Sequence, residues 1–309
     1  MTAKGILTTM TLALAMTSHA ALAAAPGAAM TYHYATIDGI KVFYREAGDP
    51  KKPTILLLHG YPSSSHMFRE LIPLLSADFH LVAPDYPGFG YSDAPGPGTF
   101  EATFAHLTQV MEHFVQTLGL KHFSIYMQDF GGPVGFRLAV LHPEWIDRLI
   151  IQNANAYDEG LAPSVREGNA RRAAKPASEG ELKFELGPDL AHLLYQKGAR
   201  APEAMNPDAW SLDEWAMNQP GHKRIAAALL NDYNTNILSY PAWQAYLRTH
   251  KPRTLIVWGK GDPIFLVPGA EAYKRDVPKA TLQLLDTSHF ALEEDSRAIA
   301  QAVRAFFKS

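Results

Sequence analysis

Cysteine is absent from this 309-residue chain, which excludes disulfides, thiolate metal sites and a thiol nucleophile. An excess of basic residues is missing as well. The formal charge is -3, with 19% charged and 47% apolar residues, the balance of an ordinary globular protein that gives nucleic acid nothing to bind. Histidines 59, 66, 80 and 289 lack the His-Glu-x-x-His spacing of a zinc site, and no Gly-rich loop runs into a Lys-Ser/Thr pair. No cofactor is therefore expected. Long apolar runs are also lacking. The stretch Ile6 to Met16 falls short of the ~20 residues that a membrane helix needs, and no later segment reaches that length.

That early stretch reads instead as the apolar centre of a secretory signal peptide. Lys4 precedes it, and Ser18-His19-Ala20 and Ala21-Leu22-Ala23 offer small-x-small cleavage sites before Pro26. A leader over residues 1-25 and a periplasmic or secreted location are expected. The missing cysteines suit an oxidising compartment without disulfides.

At ~150 residues per domain, the length allows one large or two smaller domains. Alternation from Tyr32 to Tyr44, the run Thr54 to Leu58 and the run Phe79 to Ala83 mark three early strands. Helical spacing follows through Phe68, Leu71, Ile72, Leu74 and Leu75, and again through Phe104, Leu107, Val110, Met111, Phe114 and Leu118. Further strands fit Phe123 to Tyr126, Arg148 to Gln152, Thr254 to Trp258 and Thr281 to Leu285, with a closing helix from Ser296 to Phe307. Strands that alternate with helices imply a mostly parallel sheet covered on both faces. Between about Ala156 and Tyr246 the strands vanish and short helical pieces such as Leu190 to Lys197 and Lys223 to Asn231 remain. A structureless loop beyond ~15 residues is uncommon in a compact domain. The expectation is a core from 26-155 and 247-309 with a helical cap over 156-246.

Around Met127-Gln128-Asp129-Phe130-Gly131-Gly132, the apolar run of Phe123 and Ile125 breaks into a small-residue turn and then a helical pattern through Val134, Leu138 and Ala139. This is the layout of a nucleophile elbow. Serine is missing from its tip, where Asp129 stands. A serine there attacks carbonyl carbon, whereas a carboxylate is a poor acyl acceptor. It can displace a leaving group from saturated carbon and form an alkyl-enzyme ester.

Three more segments fall at strand ends, where reactive groups gather in open α/β sheets: His59-Gly60-Tyr61-Pro62, Asp262 after Thr254 to Trp258, and His289 after Thr281 to Leu285. Each member is ambiguous alone. Asp129 also suits a helix N-cap, Lys260-Gly261-Asp262-Pro263 a plain turn, and His289 is one of 13 histidines. Their coincidence in the order nucleophile, acid, histidine favours chemistry.

From about residue 36 onward the chain resembles the aspartate-nucleophile branch of the α/β-hydrolase superfamily, which holds epoxide hydrolases and haloalkane dehalogenases. The resemblance rests on Leu58-His59-Gly60-Tyr61-Pro62, Asp85-Tyr86-Pro87-Gly88-Phe89-Gly90-Tyr91-Ser92, Gln128-Asp129-Phe130-Gly131-Gly132 and Ser288-His289-Phe290. It implies an α/β-hydrolase fold with an eight-stranded, mostly parallel sheet and an inserted helical cap. It also implies attack by Asp129, a water activated by His289 with Asp262 behind it, and backbone N-H groups of Tyr61 and Phe130 as the oxyanion hole. Pro62 would fix that turn through a cis bond. Water and a small apolar organic substrate are the expected partners.

The leaving group divides the two subfamilies. Halide release in the family uses tryptophan after the nucleophile, with a second tryptophan or an asparagine after His-Gly, but Phe130 and Tyr61 stand there and neither side chain carries an N-H. Epoxide opening uses a phenol from the cap. Leu230-Asn231-Asp232-Tyr233-Asn234 resembles the segment that carries one, which makes Tyr233 the first candidate donor and Tyr195 the second, with Tyr157 or His192 as replacements. Gln128, Glu293 and Glu294 look more like dehalogenases, and Trp210, Trp215 or Trp243 would be the alternative halide donors. Asp262 is favoured as the acid over the end of strand six, where Asn153 and Asn155 stand, because an amide does not stabilise an imidazolium as a carboxylate does. Epoxide hydrolysis leads, haloalkane dehalogenation is the alternative, and ligand binding without turnover is the third possibility. Export is tested by N-terminal sequencing of protein recovered from the periplasm or medium. The mature chain is expected to begin near residue 24 to 26, and an intact Met1 there excludes the leader.

Overall fold

The computed structural model describes residues 29-308, so the expected leader lies outside the described residues. The alternating segment from Tyr32 to Tyr44 is two strands rather than one, β1 (Thr31–Ile37) and β2 (Ile40–Ala47). Asp38 and Gly39 both take left-handed φ values, 51° and 80°, and an Asp-Gly pair in that region closes a two-residue hairpin. The remaining strands are β3 (Thr54–Leu58), β4 (His80–Pro84), β5 (Phe123–Gln128), β6 (Ile146–Gln152), β7 (Arg253–Gly259) and β8 (Thr281–Leu285).

Together they form the expected eight-stranded sheet, in the order β1-β2-β4-β3-β5-β6-β7-β8. β2 is antiparallel to both its neighbours, and all other pairs are parallel. In β3, Ile55 and Leu57 enter one apolar cluster while Leu56 and Leu58 enter another. A strand buried on both faces has this continuous apolar composition. Register sets the level of the strand ends: Leu58 pairs with Met127, Gln128 with Gln152, and Gln152 with Val257. The residues that follow β3, β5, β6 and β7 therefore emerge side by side.

Helices α1 (Leu71–Leu75), α2 (Phe104–Thr117) and α3 (Gly131–Leu141) follow β3, β4 and β5. The Thr103 hydroxyl caps α2 by accepting the His106 N-H at 3.2 Å, and Phe104, Leu107, Val110, Met111 and Phe114 line its buried face. α3 starts directly at the elbow. At Gly131 a Cβ would lie 2.2 Å from the Leu58 carbonyl oxygen, so the absent side chain lets the helix start against β3.

Between β6 and β7 come α4 (Pro163–Ala174), α5 (Pro188–Gln196), α6 (Asp208–Met217), α7 (His222–Asp232) and α8 (Asn234–His250), with no strand among them. Residues 246 and 247, between which the sequence places a domain division, both lie inside α8. α9 (Val267–Asp276) and α10 (Ala291–Lys308) complete the fold. α10 begins five residues before the expected Ser296 start because the chain kinks at Asp295 (φ -128°) between two helical stretches.

His59, directly after β3, joins two of the sequence motifs. Its Nδ1-H donates to the Gly60 carbonyl at 3.0 Å and its Nε2 accepts the Tyr86 N-H at 3.1 Å. Both roles require a neutral ring, and burial pushes its pKa down to about 3. As pH falls below about 6.5, the unfolded chain takes up this proton while the folded protein does not. The His59 contribution to stability is thus complete above pH ~6.5 and lost toward pH ~3 at about 1.4 kcal/mol per pH unit. In urea titrations, the stability gap between the wild type and His59→Gln should narrow at that rate through the acid limb. A constant gap would show that His59 does not control it.

Candidate active site

Asp129 occupies the turn between β5 and α3 with φ 48°. A non-glycine residue in the left-handed region is uncommon and costs about 1 kcal/mol or more. Several bonds hold it there. The Asp129 N-H donates to the Asn153 carbonyl at 3.2 Å, and Gly132 N-H donates back to the Asp129 carbonyl at 2.9 Å. The residue is 6% exposed, and its Oδ1 accepts the Tyr61 N-H at 2.6 Å. Burial pushes the carboxyl pKa up, against the pull of His289 and of the backbone N-H groups of Tyr61 and Phe130. The two expected oxyanion-hole donors thus both act on Asp129. The Tyr61-Pro62 bond is cis.

His289 lies below, with no solvent exposure. Its Nε2 is 3.8 Å from Asp129 Oδ2, and its Nδ1 is 2.7 Å from Asp262 Oδ2. Burial alone would lower the imidazole pKa, but the Asp262 charge and hydrogen bond, with the Asp129 charge, leave it raised. Asp262 is fixed in turn by four donors: His289 Nδ1, Asn153 Nδ2 at 2.7 Å, and the N-H groups of Ile264 at 2.7 Å and Phe265 at 3.1 Å. The three sequence-selected residues come together in one line.

Asn153, weighed in the sequence as the position of a possible acid, is instead a clamp. Its Oδ1 accepts the Gly259 N-H at 2.9 Å while its Nδ2 binds Asp262 and, at 3.3 Å, the Gly259 carbonyl. Its φ is 41°, a region asparagine tolerates better than most residues. That tolerance was the available signal.

A cavity of about 340 Å³ opens over Asp129. Tyr61, Phe130, Tyr233, Leu230 and Phe265 line it, α4 and α5 add Val165, Arg172, Leu190, Leu193 and Leu194, and Lys197 follows directly after α5. Tyr233 lies in the same lining as Asp129. Its ring lies 5.9 Å from that of Phe130, and burial, Tyr240 and Asp129 push its phenol pKa well up. Tyr240 was not foreseen. It helps to push the Tyr233 phenol pKa up and accepts a hydrogen bond from Asn155 Nδ2 at 3.0 Å. Seven-residue spacing on one helix face was its signal.

Tyr195 is not placed as expected. Its hydroxyl donates to Asp213 Oδ2 at 2.6 Å and its ring stacks on Phe290 at 4.0 Å. Leu190, Leu193, Leu194 and Lys197 of the α5 region face the cavity at helical spacing, which turns Tyr195 away. The replacements fail similarly, since the Tyr157 hydroxyl donates to Asp276 and His192 pairs with Glu214. No tryptophan lines this cavity. Trp243 stacks on Phe136, Trp210 lies beside Tyr195, and Trp215 is exposed next to Tyr91. Glu293 pairs with Arg69 at 2.6 Å, and Glu294 accepts the Ser288 N-H at 3.2 Å. Arg137 is held by Asn236 at 2.6 Å, outside the cavity lining. Among the described residues no cluster of metal-ligating side chains occurs.

With this geometry in hand, residues 53–296 match the family model described as the alpha/beta hydrolase fold. An uncharacterized hydrolase of Saccharomyces cerevisiae is 41% identical over 275 residues, 87% of this chain and 94% of that protein. A haloalkane dehalogenase of Mycolicibacterium paratuberculosis is 28% identical over 290 residues, 85% of this chain and 86% of its own. Among solved structures, the epoxide hydrolase CorEH superposes with a TM-score of 0.75 at 19% identity, covering 91% of this chain and 99% of that one.

The clamp is tested by Asn153→Ala, which strips a donor from a buried carboxylate and leaves a left-handed alanine. A loss of about 2 to 4 kcal/mol is expected in urea unfolding. An unchanged midpoint would remove Asn153 from the support of Asp262.

Proposed function

The chain belongs to the alpha/beta hydrolase family, and on that premise we propose that it hydrolyses epoxides to vicinal diols through an ester on Asp129. The observation that carries this reading is the pairing inside one cavity of the Asp129 carboxylate with the Tyr233 phenol, where no tryptophan N-H is present. A phenol whose pKa is pushed well above its ordinary value by burial stays protonated and donates its O-H to a developing alkoxide.

In the first step an Asp129 carboxylate oxygen attacks an epoxide carbon in line. The carbon-oxygen bond breaks with its electron pair on oxygen, which takes the Tyr233 proton and leaves a phenolate beside Tyr240. Charge on Asp129 disappears as the ester forms. In the second step neutral His289 removes a proton from water, and the resulting hydroxide adds to the Asp129 carbonyl carbon. The oxyanion is held by the Tyr61 and Phe130 N-H groups, each such donor contributing on the order of 10²-fold or more in rate. Collapse expels the diol oxygen, which takes the proton from His289, and the proton left on the new Asp129 carboxyl returns to the Tyr233 phenolate. The sum is epoxide plus water to diol. The cavity volume of about 340 Å³ and its leucine and phenylalanine walls suit a small, largely apolar substrate.

Haloalkane dehalogenation is the second reading, favoured by the dehalogenase among the similar proteins. Parallel incubation with styrene oxide and 1-bromobutane separates the two: diol without bromide is expected, and bromide without diol selects the second. Tyr233→Phe should slow epoxide opening by about 10²-fold or more while sparing any bromide release. Asp129→Asn should abolish turnover. His289→Gln should stop after the first step and leave a covalent adduct visible by intact mass, and no adduct with any reactive substrate would exclude the ester mechanism.

A further inference from the structure

Gln128 is the last residue of β5, wholly buried, and no step above uses it. Its amide nitrogen lies 2.8 Å from His289 Nε2, the atom that must take the proton from water. The same nitrogen is 3.5 Å from the His289 carbonyl. Its Oε1 is buried with no hydrogen-bond partner among the described residues. Gly60 makes the room: a Cβ there would lie 2.0 Å from that oxygen.

The other ring nitrogen fixes the logic. Nδ1 faces the Asp262 carboxylate at 2.7 Å, and a carboxylate accepts only, so Nδ1 carries a proton. Nε2 then has either one lone pair, in the neutral ring, or one N-H, in the cation. An amide matches both states, its N-H facing the lone pair or its C=O facing the N-H. In the orientation present, the N-H faces Nε2 and suits the neutral base. The charged groups acting on this ring are Asp262 from the β7 end and Asp129 from the elbow. Phe265 and Phe290, which also pack on it, carry no charge, and Glu293 and Glu294 are engaged with Arg69 and the Ser288 N-H.

From this geometry we propose that Gln128 is a positioning residue for His289, whose amide holds the imidazole in its neutral, base form and competes with water for Nε2. Two carboxylates beside the resting ring favour its cation. The amide N-H opposes them, and esterification of Asp129 removes one of the two, which leaves the neutral form that can accept a proton from water favoured. Water gains the nitrogen when the amide turns aside. The consequence for turnover rests on the ester reading above, whereas the hydrogen bond is a property of the free protein.

The test therefore starts without substrate. Histidine-labelled protein, with the His289 signal assigned by its loss in His289→Gln, is titrated by NMR as wild type, Gln128→Met and Gln128→Glu. Removal of the amide donor by methionine should raise the His289 midpoint by about half a pH unit or more, and glutamate should raise it further. An unchanged or lowered midpoint in both variants overturns the proposal, and the near-isosteric glutamate keeps the test valid if methionine fails to fold. With an epoxide, Gln128→Met should form adduct within about threefold of the wild-type rate while the pH midpoint of adduct hydrolysis rises in step with the NMR value. Equal slowing of both steps with no shift in midpoint would mark a merely structural residue. A raised NMR midpoint with no adduct in any variant would uphold the positioning role and reject the ester.

Discussion

A carboxylate cut off from solvent survives at the centre of this protein because four donors converge on Asp262. Burying a bare charge costs several kcal/mol, and that cost is met only where each lone pair finds a partner. The donors come from the loop after β8, the end of β6 and the turn that Asp262 itself begins. Those strands must keep their register for the set to close, so the sheet and the charge stabilise each other. His289 inherits its orientation from this arrangement, and Asp129 meets His289 from the opposite side at 3.8 Å.

The second constraint is backbone geometry at the elbow. A left-handed aspartate is unfavourable by itself, and the turn is maintained by bonds to Asn153 and Gly132 together with close contacts that glycine permits at 60 and 131. Those contacts bring the Tyr61 N-H within 2.6 Å of a carboxylate oxygen. A donor so close to a negative charge in a dry setting is worth more than it would be in water. Elsewhere the cavity lining mixes leucine and phenylalanine with Ser164, Asn169, Arg171, Arg172, Glu185 and Lys197. Specificity under the proposed reading is accordingly a matter of apolar shape, of one phenol and of these polar groups.

Much of this was legible in the chain because the informative residues sit where local pattern is strongest. Asp129 and Asp262 each follow a run of buried-strand composition while His289 follows the edge strand β8, and parallel strands in register deliver the residues after them to a common edge. The hairpin at Asp38-Gly39 was missed for a local reason: period-two alternation continues through a two-residue turn, so the polarity pattern alone does not break there. Tyr195 was misjudged for a different reason. Which face of α5 turns inward depends on how the helices between β6 and β7 pack, and the four cavity-facing positions of that region became clear only in three dimensions. Tyr240 and the Asn153 clamp act through hydrogen bonds between residues distant in sequence, which no pattern along the chain records.

The Tyr61 side chain carries a last consequence. Its backbone N-H faces Asp129, while its hydroxyl donates to the Glu185 carbonyl in the segment before α5, and the Glu185 carboxylate lies 3.6 Å from Arg172 of α4. One residue is thereby both floor and latch. Any rearrangement that lifts the segment bearing Glu185 must undo a bond to the residue whose N-H faces Asp129. The roof of the cavity and the turn that faces Asp129 thus share one side chain, so a displacement of either is transmitted to the other.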